Sequence, residues 1–188
     1  MSNRIQWTIE GPVTLLGLSH LLGVAHPSLM RSFTRFTANA APIKIEAKPV
    51  TVPDIHAGRT VKTYELNGLT ALAFLAARNY GNRCPLGVWS GPMTLLQLSH
   101  LNPKAKHCFL YRSFERFAAH FPGQIHSNAV TVPNGNRTRI IETLELDPLT
   151  IEAFNYYRMQ GGRLPPVLLS FGTAHTIKSA ENGAKGRD

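Results

Sequence analysis

An internal repeat dominates this sequence. Four blocks recur in the same order about 80 positions later: 11–21 as 91–101, 31–36 as 112–117, 50–53 as 130–133, and 63–66 as 143–146. The first pair reads GPVTLLGLSHL and GPMTLLQLSHL, and agreement of several blocks in one order does not arise by chance. Solenoid units run about 20–50 residues, so the longer spacing predicts two copies of a small folded domain.

The repeat predicts how the 188 residues are divided. We expect the first repeat at 1–83, a linker at 84–88, the second repeat at 89–166 and a flexible tail at 167–188. The linker holds Pro85 and Gly87, which are typical of a short connection. The tail begins where the repeat pattern ends, and its last part is polar and basic. Two joined copies would form a covalent pseudo-dimer.

Each copy opens with a pattern typical of two helices joined by a tight turn. In the first copy, five leucines mark the apolar face of the first helix: Leu15, Leu16, Leu18, Leu21 and Leu22. Thr14 can cap the start of this helix, and Gly23 can end it. The second helix, near 28–38, places three apolar side chains on one face: Leu29, Phe33 and Phe36. The second copy has a longer turn and fills the same positions with Leu110, Phe114 and Phe117.

A β-hairpin and a third helix follow in each copy. In the first copy, strands near 43–52 and 60–66 flank a turn that contains Gly58, and a helix is expected near 69–80. The second copy repeats the pattern with strands near 129–132 and 138–146, the turn 134–136 and a helix near 149–159. The second turn contains Asn-Gly, which favours a hairpin because both residues tolerate positive φ.

The order helix, helix, hairpin, helix is that of a winged helix-turn-helix with an added C-terminal helix. Each copy also resembles the amino-terminal domain of phage regulatory proteins of the Rha and antirepressor type. Residues Thr63–Thr70 and Thr143–Thr150 carry that likeness, since a strand end there opens the last helix. The resemblance implies an α+β fold of two tandem winged helix-turn-helix repeats that binds DNA. Tandem copies depart from the usual single copy joined to an effector domain.

The charge of the chain favours a polyanionic partner. The sequence has 20 Lys and Arg against 11 Asp and Glu, a net charge of +9. The candidate DNA-binding residues of the first copy are Ser28, Arg31, Ser32, Arg35, His56, Arg59 and Lys62. Those of the second copy are Lys104, Lys106, His107, Arg112, Ser113, Arg116, Asn134, Asn136, Arg137 and Arg139. Helix arginines can bond guanine edges, and hairpin residues can contact the backbone or the minor groove.

Other interpretations of the same residues stay open. Arginines on a helix are solvated by default, and these could pair with Glu65 and Glu145. The chain has 8 histidines, of which His20 recurs as His100, but no His/Cys set has the spacing of a metal site. No paired carboxylates and no Ser-His-Asp pattern stand out. We therefore expect neither an enzyme nor a cofactor.

Three functions are compatible with these patterns. The leading hypothesis is a sequence-specific, double-stranded DNA-binding transcriptional regulator, a repressor, of a phage, plasmid or integrative element. The second is a plasmid replication initiator that binds iterated origin repeats, and the third is an interaction module that targets a host protein. Two cysteines, Cys84 and Cys108, exclude a disulfide scaffold, and no apolar run reaches about 20 residues. We expect a cytoplasmic, nucleoid-associated bacterial protein with no membrane contact, and homodimerisation is open.

Overall fold

A computed structural model describes residues 3–40, 43, 45–79, 91–101, 105–133 and 140–178. These residues form seven helices and three small antiparallel sheets, which confirms the predicted α+β class. The first half contains β1 (Asn3–Thr8), β2 (Val13–Thr14), α1 (Leu15–Leu22), α2 (His26–Asn39), β3 (Ala47–Asp54), β4 (Arg59–Leu66) and α3 (Gly68–Asn79). The second contains β5 (Met93–Thr94), α4 (Leu95–Leu101), α5 (His107–Ala118), β6 (Ser127–Pro133), β7 (Ile140–Leu146), α6 (Pro148–Met159), α7 (Pro166–Leu169) and β8 (Thr173–Lys178).

The elements occur in two matching sets. The first set, β2-α1-α2-β3-β4-α3, recurs in the same order as the second set, β5-α4-α5-β6-β7-α6. In the first set β4 pairs with both β2 and β3, and in the second β7 pairs with both β5 and β6, always antiparallel. The sequence repeat is therefore also a repeat of elements and of strand order.

Capping residues fix where the first helix of each set begins and ends. The hydroxyl of Thr14 accepts a hydrogen bond of 3.1 Å from the amide of Gly17. Gly23 ends α1 with a φ of 63°, a conformation that glycine adopts at little cost. In the second set the amide of Gln97 donates to Thr94 Oγ1 at 3.1 Å, and the amide of Thr94 donates to Gln97 Oε1 at 2.8 Å. This reciprocal pair is a capping box, so both helix starts are satisfied.

The buried face of α1 differs in one position from the predicted one. Leu21 is exposed, as is Leu101 at the same place in α4. At about 100° per residue, Leu21 turns away from the face that contains Leu15 and Ser19. Ser19 is buried there instead, and its hydroxyl donates to the carbonyl of Leu16 at 2.7 Å. A serine that satisfies itself locally can replace an apolar side chain on this face.

Two helices lie at the centre of the molecule. In α3 every residue from Gly68 to Ala77 is buried, and this helix packs against α6. A helix that is buried on all sides needs neighbours on all sides, and α6, α2 and α7 supply them. At the end of the α3–α6 contact, the side-chain amide of Asn79 donates to the Tyr156 hydroxyl at 2.7 Å. The two sets therefore share one core.

Phenylalanines complete the core of each set in the same geometry. Phe33 lies edge-on to Phe74, with ring centroids 5.3 Å apart. Phe114 lies edge-on to Phe154, also with centroids 5.3 Å apart. All four helix phenylalanines expected in the core are buried: Phe33, Phe36, Phe114 and Phe117. That expectation is confirmed.

Gln124 links the segment before the first set to the second set. Its side-chain amide donates to the carbonyl of Ile9, and its Oε1 accepts a hydrogen bond of 3.0 Å from the amide of Leu69, in the first turn of α3. The amide of Ile9 donates in turn to the carbonyl of His120 at 2.8 Å. These bonds hold residues of both sets in one hydrogen-bonded group.

Residues 167–178, the described part of the predicted tail, do not form the flexible segment that was expected. They contribute all but the first residue of α7 and form β8, and β8 pairs with β1 over all 6 residues of each strand. Leu168 is buried, and the ring of Phe171 lies so close to Gly17 that an added Cβ would be 3.0 Å from it. The expectation is wrong here because the partner strand, β1, belongs to neither matching set of elements and is distant from β8 in sequence.

Two of the predicted segments lie outside the described residues: the linker 84–88 and the end of the tail, 179–188. Among the helices of the described ranges, none combines the length and the hydropathy needed to cross a bilayer.

Candidate nucleic-acid interface

The outer face of α2 carries two exposed arginines. Arg31 and Arg35 lie one turn apart, with exposed Ser28 one turn earlier and half-buried Ser32 between them. We call these four residues the α2 face. The apolar residues of α2 are buried on the opposite side, so core packing turns the cationic residues outward.

The outer face of α5 has the same arrangement. Arg112 and Arg116 are exposed, Ser113 is half-buried, and Phe109 stands where α2 has Ser28. We call these four residues the α5 face. Exposed Lys106 is the N-cap residue of α5 and adds a cation at the start of the helix.

The arginines of both faces have no acidic partner within the described ranges. Neither Glu65 nor Glu145 forms an ion pair with them, and the ion pair found in the described part of the chain joins His20 to Asp54 at 3.5 Å. An exposed guanidinium without a carboxylate keeps its N–H groups available to phosphate or to base acceptors. The four arginines can therefore bind an anion without first breaking an ion pair to any described carboxylate.

A cleft of about 620 Å³ beside the α2 face contains a third arginine, Arg78 of α3. The cleft is lined by Ser28, Arg31, Ser32, Arg35, Arg78 and Asn79. Three guanidinium groups around one cleft favour an anionic group such as phosphate. The sequence contained a signal for Arg78, because it recurs as Arg158 in a helix with few other charges.

Arg158 has a different environment from Arg78. Its guanidinium carbon lies 5.9 Å from the centre of the Phe154 ring, and partial burial lowers the pKa of Arg158. A guanidinium held over an aromatic ring gains a cation–π contact inside the protein. Arg158 is therefore less available to an external anion than Arg78.

A second cleft, about 540 Å³ in volume, lies between α2 and the β3-β4 hairpin. It brings together three predicted site residues: Arg31 from α2, and Arg59 and Lys62 from β4. Asp54 also lines this cleft, so its charge is mixed. Because Arg31 lines both clefts, it connects the α2 face with the hairpin.

One histidine in each set ties the second helix to the central strand. His26 Nε2 lies 3.0 Å from Thr63 Oγ1, and His107 Nε2 lies 2.9 Å from Thr143 Oγ1. Burial is the main cause that lowers the pKa of both imidazoles. His107 was expected to contact DNA, but its ring bonds β7 because the hydroxyl of buried Thr143 needs a partner.

Asp54 organises the hairpin turn of the first set. Its Oδ1 accepts hydrogen bonds of 3.1 and 3.3 Å from the amides of His56 and Ala57. Gly58 follows with a φ of 60°, as the turn requires. The exposed ring of His56 lies 4.6 Å from the ring of His20, which pairs with Asp54. The predicted site residue His56 thus projects from a well-defined turn.

Five predicted site residues lie outside the described residues: Lys104, Asn134, Asn136, Arg137 and Arg139. Their contribution to the interface stays a prediction. Over the described ranges, no three His, Cys, Asp or Glu side chains are placed to hold a metal ion. Cys108 is an exposed free thiol, and Cys84 is not among the described residues.

No protein-family model, no curated protein and no solved structure matches this chain. The resemblance to phage regulatory proteins of the Rha and antirepressor type therefore stays a prediction from the sequence.

Proposed function

We propose that this chain binds double-stranded DNA sequence-specifically through two winged helix-turn-helix repeats. It acts as a transcriptional repressor of a phage, plasmid or integrative element, and it catalyses no reaction. In this proposal α2 and α5 are the recognition helices, and the β3-β4 and β6-β7 hairpins are the wings.

The arrangement of each set supports the winged helix-turn-helix assignment. In the first set α1 and α2 are separated by Gly23, Val24 and Ala25, a turn of the length and glycine content that such motifs use. The hairpin that follows pairs through β4 with the short strand that precedes α1. A wing and a recognition helix therefore belong to one small unit.

The observation that carries the proposal is the exposed arginine pair on both helix faces, which has no acidic partner among the residues that the structure describes. An arginine in the major groove can donate two hydrogen bonds to guanine O6 and N7. Arg59, Lys62 and Arg78 surround the α2 face and are suited to phosphate contacts, which fix register rather than sequence. Two recognition helices in one chain can cover two half-sites without dimerisation.

Charge reversal on the helix faces tests DNA binding. We expect the double variants R31E/R35E and R112E/R116E each to weaken the mobility shift of a duplex strongly. The variant that carries all four substitutions should abolish the shift. The wild-type affinity should fall with salt by a log–log slope of about −0.9 per phosphate contacted. The control R163E, matched to the single variants R31E, R35E, R112E and R116E, reverses one charge at an exposed position outside both faces and both hairpins. An undiminished shift in folded helix-face variants would refute the placement of the recognition helices.

Selection of bound sites from a random duplex pool tests sequence specificity. We expect an enriched motif, and a footprint of the protein over a promoter supports the repressor role. A footprint over regularly spaced direct repeats near an origin would instead support a plasmid replication initiator. If no motif is enriched, binding is not sequence-specific and the proposal fails in that part.

A further inference from the structure

Phe109 is an exposed aromatic residue in the first turn of α5. Its side chain is 59% exposed, whereas the buried residues of this helix are Leu110, Phe114 and Phe117. At 3.6 residues per turn, Phe109 lies in line with Arg112, Ser113 and Arg116. It therefore belongs to the α5 face, and among the described residues it makes no ring contact with another aromatic side chain.

The α2 face differs from the α5 face at this position. Ser28 occupies the place of Phe109, whereas the arginine, serine and arginine that follow are the same in both helices. Ser28 is exposed as well, so neither residue is dictated by packing. The two faces thus present identical cations but a hydroxyl in one case and a phenyl ring in the other.

We propose that Phe109 contacts the C5 methyl group of a thymine in the major groove and so makes the half-site of the second repeat differ from that of the first. This inference rests on the proposed function. Among the four bases, thymine is the one that presents a methyl group in the major groove, and apolar side chains recognise it there. Ser28 can bond a base or a phosphate through its hydroxyl and gains little from a methyl group.

Replacement of thymine by deoxyuridine tests the contact, because it removes one methyl group and keeps base pairing. In a duplex that contains the selected motif, each thymine is replaced in turn and the affinity is measured. For the wild-type protein we expect a loss of about fourfold at one thymine, the effect of one buried methyl group. Phe109→Ser should bind the thymine and uracil duplexes equally at that position. Phe109→Leu should keep part of the discrimination, and Ser28→Ala should keep all of it.

The outcomes separate this proposal from the proposed function. If wild type binds no duplex, the proposed function fails. If wild type binds but is insensitive to every replacement, or if the motif lacks thymine, the Phe109 proposal is overturned. It is also overturned if folded Phe109→Ser discriminates as wild type does. A change in oligomeric state in that variant, with unchanged discrimination, would assign Phe109 to a protein contact instead.

Discussion

The buried contacts of the first set of elements recur in the second, whereas several exposed positions differ. Phe33 meets Phe74 as Phe114 meets Phe154, and the histidine–threonine bond between second helix and central strand is present in both sets. Such contacts are costly to change because they fill the core or satisfy buried polar groups. The buried contacts of the two sets are therefore the same in kind.

Equivalent positions that differ between the two sets have different neighbours in the structure. Gly17 of α1 lies against Phe171 and Thr14, which leave little room for a side chain, while the equivalent Gln97 completes a capping box. Arg78 lines an open cleft, whereas Arg158 lies over a ring. In the proposed function, the exposed differences would give the two repeats unequal roles on DNA.

Removal of a core phenylalanine should have the largest effect and should affect both sets alike. We expect Phe33→Ala and Phe114→Ala each to lower the free energy of unfolding by about 3–5 kcal/mol. Because α3 and α6 pack together, urea unfolding followed by circular dichroism should show one transition in each variant. The exposed Phe109→Ala serves as a control and should change stability by less than about 0.5 kcal/mol. Separate transitions for the two sets would show that they fold independently.

Removal of the arginine at the end of the third helix should distinguish the sets. We expect Arg78→Ala to weaken duplex DNA binding about tenfold and to reduce the salt slope by about one, as for a lost phosphate contact. Arg158→Ala should leave the slope unchanged, because that guanidinium lies over Phe154. Fluorescence anisotropy between about 50 and 200 mM salt measures both slopes. Equal slope changes in the two variants would contradict the difference in their environments.

A smaller effect is expected on acidification. The pKa values of His26 and His107 are lowered in the folded state from 6.5, so the unfolded chain binds protons first as the pH falls. Stability should therefore be complete above about pH 6.5 and decrease as the pH falls through the folded pKa values. His26→Gln and His107→Gln should each remove part of this decrease, measured by urea unfolding at pH 7.5 and at lower pH. Stability that rises on acidification in wild type would contradict the direction of both shifts.

Local signals explain the parts of the fold that the sequence predicts well. The cap at Thr14, the helix end at Gly23 and the hairpin turn at Gly58 depend on residues within a few positions. The core phenylalanines follow from helical period alone. These features need no knowledge of distant partners, so they can be derived from the chain pattern.

Features that depend on distant packing could not be derived in this way. The pairing of β1 with β8 joins the two ends of the described chain, and the hydrophobic period of a strand does not identify its partner. Arg78 lines the cleft beside the α2 face because α3 ends beside α2, and the His107 ring bonds Thr143 because that buried hydroxyl lies opposite it. In each case the role of a residue is decided by a neighbour that is remote in sequence.

The pairing of β1 with β8 also has a consequence for biosynthesis. β1 precedes both matching sets in the chain, but β8, the strand that completes its hydrogen bonds, follows both of them. During translation β1 therefore lacks its partner strand, β8, while the residues of both matching sets are already available to fold. Closure of this ribbon therefore requires that both matching sets have already been translated.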